Sequence, residues 1–277
     1  MSSLYPLHSY DCEPPCEHLP LRTLRERAEQ WPSSRVSVQA FDVDGWRYVM
    51  KRSRPPRWAG LRAWAGALSC LAVFGVWPAP GRLRVGDIHH EAARLRALRE
   101  QGQAVPRVYL ETGNHLVFEY CGLTVERILE HMRPAARLAL LSRVVDDLAD
   151  FHRAGHWHGG AQLRNLTMMH GRIYRIDFEE NVGAALPLPI AQAYDVLLTF
   201  HSMVDHLGGD PAAGTRLLAR YLARVQSPGV AGALGAADRW LGRLRRIEPW
   251  LGARLRRGHD VRRALALAGI VHGGLAA

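Results

Sequence analysis

Lysine is almost absent from this chain. Of its 36 Lys and Arg positions, 35 are arginine and one, Lys51, is lysine. So strong a bias meets any generic need for positive charge with arginine, and it marks Lys51 as a place that wants a compact ammonium instead of a planar fork. Cysteine is scarce as well. Cys12, Cys16, Cys70 and Cys121 are too few across 277 residues for a disulfide framework, which fits a reducing compartment. His8, Cys12, Cys16 and His18 are metal-ligating types close together, yet Cys-Glu-Pro-Pro-Cys lacks the second ligand pair of a structural zinc site. The opening residues, MSSLYPLHSYDCEPPCEH, have neither a basic stretch nor an apolar core, so no secretory leader is read there. Acidic residues number 26 against 36 basic ones, a net charge of +10, and that balance favours an anionic partner. No ribonucleoprotein aromatic motif or zinc finger accompanies it, which turns the reading away from nucleic acid and toward a nucleotide or an acidic membrane surface.

Apolar runs stop short of a membrane span. The segment AWAGALSCLAVFGVWPAP, residues 63–80, is uncharged, but its part before Pro78 is about fifteen residues, fewer than the roughly 20 that a spanning helix needs. Trp64 and Trp77 lie near its ends, and Arg52, Arg54, Arg57 and Arg62 precede it. This suits a segment lying in a membrane interface, and equally a buried helix or hairpin. Residues 239–263 offer a second such candidate, with nine arginines and an apolar set that includes Trp240, Leu244, Trp250 and Leu251. That run also fits a helix packed on the protein with its arginines in water.

Along the chain, residues 1–30 read as an N-terminal extension ending in a short helix, 21–30. Two strands flank Asp44-Gly45, a hairpin signal, and the second ends on Lys51. Over 87–101, Ile88, Ala92, Leu95 and Leu98 recur at helical spacing with Glu91 among them, and Gly102 and Pro106 end the helix. Residues 107–111 and 115–120 read as strands about a Thr-Gly-Asn turn. Residues 135–153 form a helix on Leu138, Leu141, Val145, Leu148 and Phe151, and the chain beyond Ile190 is helical. Strands first and helices after imply an α+β molecule of two lobes, 31–120 with an apolar insert at 58–80, and 121–277.

The chemistry concentrates in LADFHRAGHWHGGAQLRNLTMMHGRIYRIDFEENVG, residues 148–183. A helix ends at Ala154-Gly155, a polar loop follows, and two short strands about His170-Gly171 deliver Asp177. Asn165 and Asp177 supply an amide and a carboxylate oxygen, hard donors of the kind magnesium takes together with phosphate oxygens.

With these elements in this order, the chain resembles the protein-kinase-like superfamily over roughly residues 35–205, and within it the Bud32-type kinases and the lipopolysaccharide Kdo and heptose kinases. The resemblance implies a bilobal fold with a β-rich N-lobe and a helical C-lobe, and ATP and Mg as cofactors. It makes Lys51 the phosphate-binding lysine, Glu91 its ion-pair partner, and Phe118-Glu119-Tyr120-Cys121 the hinge, with Glu119 and Cys121 as nucleotide contacts. Asn165 and Asp177 become the metal ligands of a catalytic loop at 156–165 and a metal segment at 177–179, and His158 joins the catalytic set. His152 and Asp195 take structural places beneath the loop.

Three departures stand out. The pattern H-x-D-x-x-x-x-N reads HGGAQLRN, so Gly160 occupies the place of the catalytic aspartate. Proton acceptance of that kind contributes ~10²- to 10⁴-fold, whereas phosphoryl transfer draws more on positioning and charge stabilisation. His156, His158, Gln162, Arg164, Glu179 and Glu180 are the nearby candidates to compensate. The D-F-G element reads Asp177-Phe178-Glu179, which resembles kinases of choline and aminoglycosides. No glycine-rich loop is present, and Trp31-Pro32-Ser33-Ser34-Arg35 is the candidate phosphate cover. The expectation is a cytoplasmic phosphotransferase, peripheral on the inner face of the membrane through 58–80 and 239–263, acting on a lipid or glycolipid acceptor. The alternatives are a pseudokinase that binds nucleotide without catalysis, and transfer of the nucleotide in place of the phosphate.

Overall fold

The computed structural model describes residues 20–31, 37–53, 59–83, 86–247 and 258–277. The His8, Cys12, Cys16 and His18 quartet, residues 32–35 of the candidate cover, and 248–257 of the basic run lie outside the described residues.

Four strands, β1 (Val38–Val43), β2 (Trp46–Arg52), β3 (Val108–Glu111) and β4 (His115–Glu119), form an antiparallel sheet in the order β1-β2-β4-β3. Asp44 and Gly45 join β1 to β2 at φ 51° and 80°, the left-handed pair that a two-residue hairpin turn requires and that Asp-Gly supplies at little cost. The period-two alternation of the strands then decides which side chain faces what. Tyr48 and Met50 of β2 pack with Val117 of β4 against Leu24 and Ala28 of helix α1 (Leu21–Gln30). Val49 takes the opposite face, where Leu116 and Phe118 meet Ile88 and Ala92 of helix α3 (Ile88–Glu100). Lys51, two residues on from Val49, shares that second face, and a one-residue slip in register would turn it out of the cleft. Leu24 and Ala28 are fully buried, so α1 is a layer of the N-lobe instead of a separate extension.

The second lobe is helical and carries a small antiparallel sheet, β5-β6-β7, made of β5 (Leu123–Thr124), β6 (Leu166–Met169) and β7 (Arg172–Arg175). Around it lie α4 (Val125–His131), α5 (Pro134–Arg153), α6 (Val182–Ala185), α7 (Leu188–Met203), α8 (Pro211–Val225), α9 (Pro228–Ile247) and α10 (His259–Ala276). Leu141, Val145 and Leu148 of α5 share one core with Phe200 of α7, Tyr221 of α8 and Ile270 of α10. Each such side chain contributes roughly 1.5–3 kcal/mol by leaving water. Leu138 departs from the sequence expectation: it is 40% exposed, while Leu140 and Leu141 beside it are buried. The whole is an α+β molecule with a sheet-built first part and a helical second part, the arrangement of a bilobal kinase-like fold.

The apolar insert is helix α2 (Ala59–Phe74). Ala63, Ala67 and Cys70, spaced i, i+4, i+7, form its buried stripe. That stripe serves the second lobe: α2 packs on α9, and Cys70 clusters with Val182, Leu186 and Ala191. The insert follows β2 in sequence and yet docks on the helical lobe, where the sequence alone assigned it to the N-lobe.

Candidate active site

A cleft of about 500 Å³ opens where β1, β2 and the end of β4 face the β6–β7 hairpin. Val38, Ala40 and Val49 line it on the sheet side, and Thr167 and Ile176 lie on the side of the helical lobe. Phe118 through Gly122 close one end; Lys51, Glu91, Asn165, Asp177 and Glu179 gather at the other. One end is thus a flat apolar slot beside a strand terminus, and the other is charged.

The charged end is built on Lys51. Its Nζ lies 2.8 Å from Glu91 Oε2, 2.7 Å from Asp177 Oδ1 and 2.8 Å from Glu179 Oε1. Burial works against the ammonium, but the three carboxylates outweigh it and raise the Lys51 pKa, so the side chain stays charged. Glu91 Oε1 also accepts the Phe178 backbone N–H at 3.3 Å, which ties α3 to the segment after Asp177. Asp177 itself sits at φ 67°, a left-handed conformation uncommon outside glycine and most tolerated by Asp and Asn. Strain of this kind persists only where surrounding contacts fix it.

Beneath the cleft the loop 156–165 is held from behind by one buried carboxylate. Asp195 of α7 accepts the backbone N–H groups of His158 at 2.5 Å and Gly159 at 2.7 Å, and lies 3.3 Å from His152 Nε2. Burial alone would raise its pKa; His152, His158 and the backbone donor hold it below the usual carboxylate range. Gly159 turns the chain at φ 95°, and a Cβ there would meet the Glu180 carbonyl oxygen at 3.0 Å, so this position requires glycine.

His158 departs from its expected place in the catalytic set. It is fully buried, its Nδ1 accepts the Gly160 N–H at 3.1 Å, and its Nε2 lies 3.0 Å from the Ile176 carbonyl oxygen. That pairing fixes the Nε2–H tautomer and commits both nitrogens. Burial lowers its pKa to about 4, so the neutral ring holds the loop and has no lone pair left for an acceptor proton. Asn165 Nδ2 donates to the Gly160 carbonyl oxygen at 2.8 Å, which leaves the amide oxygen as the atom it can offer a cation. The Glu119 carboxylate is taken up within the protein: it accepts the Arg107 N–H at 3.0 Å and lies 3.4 Å from Arg99. At Glu119 and the buried Cys121, backbone is what remains for a ligand in the slot.

No protein-family model matches the chain. Among curated proteins, it is 33% identical over 100 residues to the KEOPS complex subunit Bud32 of Pyrococcus abyssi, a stretch covering 35% of this chain and 46% of that protein. The chain is similar to an atypical kinase. The aligned stretch thus spans about half of that relative's length, and the likeness agrees with the fold.

Kinase-like proteins in general use ATP with magnesium, and the donors here fit that pair. Three carboxylates on one ammonium leave an excess of negative charge, and their oxygens lie within 4.8 Å of one another. Together with the Asn165 amide oxygen they form the hard, all-oxygen set that magnesium prefers.

Sequence reasoning brought Lys51, Glu91, Asn165 and Asp177 to one end of one cleft, and the structure places them there. It missed Arg94. This half-buried guanidinium lies 3.4 Å from the Trp157 ring centroid and 4.9 Å from that of Phe178. It donates to the carbonyl oxygens of Trp157, His158 and Glu180, so it fastens α3 to the loop on both sides of the site. Burial lowers its pKa to about 10, which still leaves it charged near neutral pH. The signal was available: Arg94 stands three residues after Glu91, a charge on the helix face that also carries Leu95 and Leu98. Glu179 was noted as a departure and left out of the metal set, though it reaches Lys51 as closely as Glu91 does.

Proposed function

We propose that the chain is an ATP-dependent phosphotransferase that moves the γ-phosphate to a hydroxyl of a lipid-linked sugar or another small envelope molecule. The observation that carries this is the grip of Glu91, Asp177 and Glu179 on Lys51 at the charged end of the cleft. In this reading the adenine enters the slot between Ala40, Val49 and Ile176 and meets the hinge backbone. Lys51 neutralises phosphate charge, Glu91 holds the lysine, and Asn165 with Asp177 and Glu179 would hold magnesium. When bound, the metal offsets the negative charge that develops on the transferring group. Asp195, His158 and Arg94 keep the loop in place so that little reorganisation remains during transfer. Arg164, exposed in that loop, suits an acceptor bearing its own negative charge. The acidic residue after Phe178 inclines the acceptor toward a small molecule, as in the kinases that share D-F-E.

The second reading is a pseudokinase, and the state of Gly160 favours it. No side chain stands there, and the adjacent His158 ring has both nitrogens occupied. A Cβ on Gly160 would meet Asn165 Nδ2 at 3.3 Å, with no positive φ to strain it, so Gly160→Asp fits after a small adjustment. In a pseudokinase that change creates transfer from none; in an enzyme organised around glycine it alters the rate little.

The deciding experiment follows ATP labelled at the α and γ phosphates, with magnesium and an envelope extract, against Asp177→Ala. Label from γ in lipid or glycan, absent with the variant, supports the phosphotransferase. Label from α means nucleotidyl transfer, and no transfer despite ATP binding leaves the pseudokinase.

A further inference from the structure

Helix α2 has a second face that the protein does not cover. Leu61, Trp64, Leu68 and Leu71 are 67%, 55%, 57% and 44% exposed, and Trp77, just beyond the helix, is 44% exposed. Among the described residues, ten large apolar side chains stand exposed, and five of them fall within these 17 positions. Such clustering is what distinguishes a functional patch from scattered surface leucines. The rest of the face is Ala65, Ser69 and Ala72. Ser69 turns its hydroxyl back onto the Ala65 carbonyl oxygen at 2.9 Å, so this polar side chain satisfies itself within the helix. The Trp64 and Trp77 rings lie 5.7 Å apart, centroid to centroid, joining the helix and the chain after it into one aromatic edge.

Charge tells what would cover the patch. α2 rests on α9, whose last turns carry exposed Arg239, Arg243, Arg245 and Arg246, and Arg82 lies exposed in the short turn packed against α2. An apolar face with paired tryptophans, next to arginines and free of acidic side chains, matches the acyl and headgroup layers of an anionic leaflet. Among the described residues no helix is long and apolar enough to cross a membrane, so the contact is one of lying on the surface. We propose that the outer face of α2, with Trp77, docks on an anionic lipid bilayer.

The inner face of the same helix packs on Val182, Leu186 and Ala191, directly after the segment that carries Asp177 and Glu179. Docking would therefore set that segment one helix away from the bilayer, a consequence that matters for the phosphotransferase reading.

The test is co-sedimentation of the full chain with phosphatidylcholine vesicles, with and without phosphatidylglycerol. The comparison variants are Trp64→Ser/Leu68→Ser and Arg243→Glu/Arg246→Glu, with ATP binding and the thermal midpoint confirming that each folds. The wild-type chain should bind the phosphatidylglycerol vesicles and release as salt rises. The first variant should bind at least ~10-fold more weakly, the loss expected from withdrawing a buried Trp and Leu, and the second should lose its preference for phosphatidylglycerol. No binding to either vesicle overturns the proposal, as does binding that the first variant leaves unchanged. A wild-type dimer that the first variant dissolves overturns it too, since a second copy then covers the face. Vesicle binding is read without ATP, so it fails or holds separately from phosphate transfer in solution.

Discussion

The charged end of the cleft and the loop behind it are finished to different degrees. On the donor side, Lys51, Glu91, Asp177 and Glu179 form a closed set of contacts at 2.7–2.8 Å, with the Asn165 amide beside them. On the loop behind it, Gly160 is buried, has no side chain and spends its backbone N–H and carbonyl on His158 and Asn165, and His158 is buried and bonded at both nitrogens. Under the phosphotransferase reading, a site that gathers three carboxylates on one lysine while Gly160 offers no side chain separates two tasks that kinase-like folds usually combine. Phosphoryl transfer asks mostly for charge stabilisation and position, so the finished side is the one the chemistry depends on more heavily.

The largest expected effect comes from breaking the finished side. Lys51→Ala should lower γ-phosphate transfer by at least ~10²- to 10³-fold, as removal of one preorganised charge contact does. It should also destabilise the fold by roughly 3–5 kcal/mol, because Glu91 would remain buried without its counter-charge. Steady-state transfer and urea unfolding check both halves; a Lys51→Ala enzyme of normal rate would erase the asymmetry.

Next in size is the acid response of the loop support. His158 is neutral in the fold with a pKa near 4, against an ordinary value of 6.5. A depressed histidine pKa means that the unfolded chain binds the extra proton. Its contribution is therefore complete above pH 6.5 and is lost as pH falls toward 4, amounting to roughly 3 kcal/mol. Unfolding free energy measured between pH 7 and 4.5 should fall with this sign, and His158→Gln, less stable at pH 7, should show a shallower slope.

Arg94→Gln should be milder on stability and selective in kinetics. It frees α3 from the loops without touching the cleft, so kcat should fall by ~10-fold or more while the KM for ATP moves little, the pattern of lost transition-state positioning. An equal change in both would assign Arg94 to nucleotide binding instead. The smallest effect belongs to the unfinished side: under the phosphotransferase reading, Gly160→Asp should leave the rate within about tenfold, well inside what a working base would add.

Much of this was legible in the sequence because it rests on local rules. Asp44-Gly45 marked the β1–β2 hairpin and set Lys51 at the end of its second strand. The 3.6-residue stripe of α3 carried Glu91 among its apolar positions, and the His-Gly turn between β6 and β7 led on to Asp177. What escaped depends on contacts between distant segments. The assignment of α1 to the N-lobe depends on Leu24 meeting Tyr48 and Val117, and the docking of α2 on the helical lobe depends on Cys70 meeting Val182. His158 read as catalytic from its position in the motif, and only the closure of Ile176 and Gly160 around its ring shows that both nitrogens are spent. Arg94 has its meaning in three carbonyl groups more than 60 residues away in the chain.

The most direct test is ATP affinity by titration calorimetry, with and without magnesium, for the wild-type chain and Asp177→Asn. The expected result is ATP binding that magnesium tightens in the wild type, and a loss of that magnesium effect in the variant while binding itself persists. A wild-type chain that binds no ATP, or whose magnesium response survives in Asp177→Asn, would contradict the reading of this cleft as a nucleotide and metal site.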